Sequence, residues 1–463
     1  MDETLIVHVQ ESESQEQEQT PPLLKPQKNG NGNGNHDVDD TDLDKTLQKL
    51  ELFLTLLGFN QPSVLSFVLS WIFFLVLGIL VPMVMLEVSN CQNPQIKSFE
   101  FDILVSQALL AAASLLCLSH NLRKYGVRKF LFVDRYSGHI ERFSNQYHKK
   151  ISDSVRLLLL WVLPCFLLKT AREIIRILYV QHESWWQSAA ISLAFVSSWT
   201  YITAIFLSAC VLFHLVCSLQ IIHFDDYVKF LEREPDCFVL IQEHVRLRYY
   251  LSKISHRFRI YLLLLFLIVI VSHFMTLFQT TGYTGLITYI NGGDFAVSSI
   301  VQVVGVILCL NAAAKISHRA QGIGSIASRW HALATCTSGE ASQMRNSTSM
   351  SCLEAANRSN SFYMNFSESD LESVDFVTEP TNTQLASYMS SYQKRQALVM
   401  YLQNNPGGIT IFGWTVDRGL INTIFFIELT VVTFILGKTI VFTGEVEKCC
   451  SKYEKEGKDA FLH

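Results

Sequence analysis

Charge is what this chain has least of. Asp, Glu, Lys and Arg make up 17% of its 463 residues, against 49% hydrophobic, where soluble domains carry about a quarter charged. That deficit excludes an ordinary water-soluble globule and makes lipid part of the solvent. The formal net charge of −4 supplies no basic field, so no nucleic-acid partner is expected. The motifs of common chemistry are lacking as well: there is no phosphate-binding loop, dinucleotide glycine motif, zinc spacing or carboxylate pair. His120, His148, His214, His223, His256 and His273 are scattered, without HExxH spacing. Neither an enzyme nor a cofactor is expected. No secretory signal opens the chain, because its first apolar run starts near Ser63 and is too long for a signal core. Eleven cysteines raise the question of disulfides. Cys117, Cys165, Cys210, Cys217 and Cys309 lie in or beside apolar segments, however, and read as small hydrophobes.

What is present is a series of long apolar runs. A helix needs about 20 apolar residues to cross about 30 Å of hydrocarbon, and seven stretches qualify: 63–86, 101–119, 154–180, 188–222, 260–277, 295–314 and 420–441. Backbone groups in lipid must pair internally, and uninterrupted runs of this length favour helices over barrel strands. The expected fold is all-α: a polytopic membrane helix bundle of about seven transmembrane helices with cytoplasmic helical extensions. Residues 1–45 (ESESQEQEQT, then NGNGNG) form a polar, low-complexity tail expected to be disordered. Residues 46–336 hold spans one to six, and 337–383 form a second disordered segment rich in Ser, Asn and acids. Residues 384–443 carry an amphipathic helix and the last span, and 444–463 a polar tail. The stretches 237–258 and 385–402 have helical apolar spacing, and each must cover its stripe with the chain's own extensions, a neighbouring subunit or a membrane surface.

Basic residues orient the bundle. The link after span two carries Arg123, Lys124, Arg128, Lys129, Arg135, Arg142, Lys149 and Lys150, and the one after span four Lys229, Arg233, Arg246, Arg248, Lys253 and Arg257. The alternate links have one lysine or none, so the positive-inside rule puts the N-terminus in the cytoplasm and the C-terminus outside. Lys448, Lys452, Lys455 and Lys458 in the tail run against that assignment. The sequons at Asn346, Asn357 and Asn365 would then be cytoplasmic and inert.

Two constellations stand out. In span three, Lys169, Arg172, Glu173 and Arg176 lie at offsets 0, 3, 4 and 7 and so share one helical face. Burying them in lipid would cost several kcal/mol. Three readings fit: the helix leaves the bilayer early, the charges form a structural ion pair, or they line a pocket of net positive potential for an anionic or strongly polar ligand. In the last span, Thr430, Phe434, Gly437 and Val441 share a mildly polar face, which suits either helix packing or a narrow pore. Glu428 and Lys438 are costly to leave in lipid, and ten positions separate them too far for a direct pair.

The segment entering the last span, with Gly413, Thr415, Val416, Asp417, Arg418, Leu420 and then Thr430, resembles the plant gustatory-receptor-like membrane proteins, distant relatives of the insect odorant and gustatory receptor superfamily. It departs from the insect signature at Val431 and at Gly437-Lys438. The resemblance implies a homotetramer in a lipid bilayer, with an unknown small-molecule ligand bound in the outer half of each subunit. The last spans would line a central ion pore, with Thr430, Phe434, Gly437 and Lys438 facing it. Four lysines around such a pore would oppose cation passage. The expected function is therefore a ligand-gated ion channel or a receptor derived from one, with a secondary transporter or a non-conducting scaffold as rivals.

Overall fold

In the computed structural model, residues 36–88, 94–132, 137–179, 185–234, 236–282, 289–342, 391–416, 419–434 and 437 are described. The chain is a polytopic helical membrane bundle. A leading helix α1 (His36–Leu56) turns into the first span, which is built from α2 (Val64–Leu75), a π-turn (Val76–Leu80) and α3 (Val81–Val88). Then come α4 (Pro94–Leu131), α5 (Ser137–Tyr179), α6 (Trp185–Arg233), α7 (Cys237–Gly282), α8 (Tyr289–Ser342) and α9 (Ser391–Asn404). A two-stranded hairpin, β1 (Thr410–Ile411) with β2 (Trp414–Thr415), leads to a shorter apolar helix α10 (Gly419–Phe434).

Six of these helices are long and apolar enough to cross a membrane. At 1.5 Å per residue, the 43 to 54 residues of α5 to α8 reach about 65–80 Å, twice a hydrocarbon core. They therefore continue past the bilayer as a helical extension. α1 begins ten residues inside the segment read as a disordered tail, and α8 runs six residues into the one read as a disordered loop. The rest of both segments, residues 385–390 of the amphipathic stretch and the 444–463 tail lie outside the described residues.

α6 is the axis of the bundle. Of its apolar window 89% is buried, against 11% for the first span, and it packs on α8, α5 and α4. Gly305 of α8 permits close approach to α6, since a Cβ there would overlap the buried Phe206 ring. Pro82 explains the π-turn before it. Proline lacks an amide hydrogen and its ring crowds the carbonyl four residues back, so the helix widens by one residue. Ser198 of α6 donates to the Leu77 carbonyl within that turn at 2.6 Å. α1 lays Leu43, Leu47, Leu50 and Leu54 against the core, with Leu57 just beyond it, and α9 buries Leu398, Val399 and Leu402 against α7 and α8. Cys117, Cys165, Cys210, Cys217, Cys237 and Cys309 are free thiols.

Candidate functional site

The N-terminal turns of α4 and α8 lie beside the C-terminal turns of α5, and there the bundle buries its charges. All four span-three residues meet in one cluster. Lys169 pairs with Glu173 one turn on at 3.0 Å, and with Asp294 of α8. Arg172 reaches Glu173 at 2.6 Å and Glu100 of α4 at 2.8 Å, with Asp294 at 3.9 Å. Arg176 lies 3.5 Å from Glu100 and 4.0 Å from Glu173. Apart from the slightly more open Asp294, each of these side chains is buried. Among the described residues three cations thus face three carboxylates, which offsets the net positive potential expected from span three alone. Sequence reasoning missed Glu100 and Asp294. Each stands one residue before the apolar run that marked its span, at the end of the bundle where α5 carries its charges, and that shared level was the available signal.

This clasp ties spans two, three and six. Breaking a buried pair by removing one partner typically costs about 3–5 kcal/mol, because a charge is left uncompensated. Aromatic rings of α6 close the same space: Trp199 lies 6.0 Å from the Lys169 ammonium and Phe195 5.0 Å from the Arg176 guanidinium. The cavity between them, bounded also by Leu86 and Gln107, has a volume of about 30 Å³, room for about one water molecule. A small molecule entering here must part ion pairs to fit. Among the described residues, no three His, Cys, Asp or Glu side chains converge as a metal would require.

A second buried charge lies on the last helix. His273 of α7 and Glu428 of α10 meet at 2.5 Å, and both are buried. This resolves the problem that Glu428 posed in the sequence, since its partner is on another span. Phe295 of α8, the residue after Asp294, packs edge-on to the His273 ring at 6.3 Å. Glu428 is the one buried residue among those described on α10. Thr430, Phe434 and Gly437 are exposed, and Lys438 lies outside the described residues, as do Asp417 and Arg418. Thr415 sits in the hairpin and Leu420 in the first turn of α10. The described residues leave most of this apolar helix uncovered, a surface suited to lipid or another copy.

The family model described as protein of unknown function (DUF3537) matches residues 45–427. No curated protein matches the chain. Among solved structures, the insect olfactory receptor OR5 from Machilis hrabei, in complex with eugenol, is similar over 86% of this chain and 99% of its own. The TM-score is 0.52 and the identity 11%. At that identity the likeness is one of fold.

Proposed function

Since the chain belongs to the family described as protein of unknown function (DUF3537) and has the fold of an olfactory receptor, we propose that it is a chemoreceptor-like, ligand-gated ion channel. Four copies form a homotetramer, and the last helix of each lines a central pore through Thr430, Phe434, Gly437 and Lys438. The ligand engages Lys169, Arg172, Glu173 and Arg176. Its polar groups take over ion pairs that otherwise lock the clasp, and it biases an equilibrium between two arrangements of the bundle by its differential affinity for them.

One observation carries this reading: the clasp and the last helix are physically contiguous. Asp294 holds Lys169, its neighbour Phe295 packs on His273, and His273 holds Glu428 of α10. A ligand that parts Asp294 from its cations acts two contacts away from the buried attachment of the last helix. The completeness of the ion pairing favours a second reading, a non-conducting membrane scaffold whose charges only fasten helices.

Reconstituted full-length protein in planar bilayers separates the two. In the channel reading, Lys438→Gln removes a ring of positive charge and shifts the reversal potential of single-channel currents toward cations. Currents indistinguishable from wild type would remove Lys438 from the permeation path, and a chain that passes no current under any condition would favour the scaffold.

A further inference from the structure

The hairpin before the last helix breaks a local rule. Its tip is a two-residue turn with both centres at positive φ, Phe412 at 48° and Gly413 at 86°, between the paired residues Ile411 and Trp414. Such turns favour Asn, Asp or Gly at the first centre, because the left-handed region strains other side chains. A phenylalanine stands there against that preference, and strain of this kind marks sites whose reward lies in a contact. Within the described chain that reward is small. Phe412 is 57% exposed and Trp414 77%, with the Arg259 guanidinium 5.4 Å from the Phe412 ring.

The stem beneath the tip is held fast. Ile409 and Val416 are buried and joined by a hydrogen bond, Val416 N–H to the Ile409 carbonyl at 2.8 Å. Ser317 of α8 accepts from the Ile409 amide at 3.0 Å, and Ser255 of α7 accepts from the Thr410 amide at 3.2 Å. The hairpin therefore runs along α7 from Ser255, beside Thr410, to Arg259, beside Phe412. The next residue, Ile260, begins the apolar run of α7, and its exposed face continues through Leu263 and Leu267. The tip thus ends where the water-facing extension gives way to the lipid-facing surface, with a cation beside it.

We infer that Phe412–Gly413–Trp414 is an interfacial anchor that seats in the headgroup–acyl boundary of a phospholipid leaflet. Aromatic rings are favoured at that depth, where an apolar body and a polar edge are both served. The tip is continuous with the lipid-facing side of α7, and this favours lipid over a second copy of the chain as its occupant. Fixed to the core by its stem and to the leaflet by its tip, the hairpin sets the depth at which α10 enters the membrane.

Photocrosslinking tests this on the full chain in nanodiscs of phosphatidylcholine and phosphatidylserine. The photoreactive p-benzoylphenylalanine replaces Trp414 in one variant, Phe412 in a second, and Gln396, on the exposed side of α9, in a third as reference. After irradiation, intact mass should show adducts one phospholipid heavier at 412 and 414, several-fold above the yield at 396. Crosslinks mainly between two copies of the chain, or lipid adducts no more frequent than at 396, would overturn the assignment. Either tip variant alone suffices if the other fails to fold.

Discussion

Glu173→Gln is the sharpest perturbation of the clasp. Glu173 is 1% exposed and touches all three cations, at 3.0, 2.6 and 4.0 Å. The substitution keeps the side chain's shape and removes its charge, so the cluster goes from neutral to one uncompensated positive charge among buried groups. At an effective dielectric near 20, a unit pair about 4 Å apart interacts by about 4 kcal/mol. Desolvation of the carboxylate offsets part of three such contacts, and the net cost of breaking a buried network is about 3–5 kcal/mol. At about 1 °C per kcal/mol for a chain of this size, thermal midpoints should fall by about 3–5 °C. The assay is thermal unfolding of the purified full chain at one heating rate, with Arg128→Ala as control. The Arg128–Asp44 pair is short at 2.7 Å, but its side chains are 68% and 55% exposed, and such pairs are worth less than about 1 kcal/mol. Adding Lys169→Met to Glu173→Gln restores neutrality and should recover part of the loss. A Glu173→Gln midpoint within about 1 °C of wild type, or no lower than that of Arg128→Ala, would refute the view that this network fastens the helices.

Other expectations follow from the same structure. His273→Ala leaves Glu428 buried without its partner and should destabilise by about 3–5 kcal/mol, whereas Glu428→Gln keeps a hydrogen bond and should cost about 1 kcal/mol; equal thermal shifts for the two would argue that His273 does not hold Glu428 in the folded protein. If the basic links face the cytoplasm, Asn346, Asn357 and Asn365 stay unglycosylated in cells, and a mass shift on glycosidase treatment that is lost when those asparagines are replaced would invert the bundle.

The helices were readable because hydrophobicity over twenty residues is a local property of the chain. The clustering of Lys169, Arg172, Glu173 and Arg176 on one face was readable for the same reason, since helical spacing fixes it. Which carboxylates would answer them was not: Glu100 and Asp294 lie about 70 and 120 residues away, and pairing across helices depends on packing that no local pattern encodes. Reading spans two and six from Phe101 and Phe295 set both acids just outside the membrane segments. Glu428 was flagged as costly, yet its partner His273 looked like one of several scattered histidines. The hairpin at 410–415 was hidden because IFGW lacks the Asn-Gly or Asp-Gly signal of a two-residue turn. The stretch Thr415 to Leu420, matched to the family's last-helix motif, consequently divides between a strand and the first turn of α10.

The central claim is that the thinly covered last helix finds its partners in other copies of the chain around a pore. Single-particle imaging of the full-length protein in nanodiscs tests it most directly. The account predicts four copies with the Gly419–Phe434 helix of each around the symmetry axis and Thr430 and Phe434 facing it. A monomer, or an assembly with a different span at its axis, would contradict it.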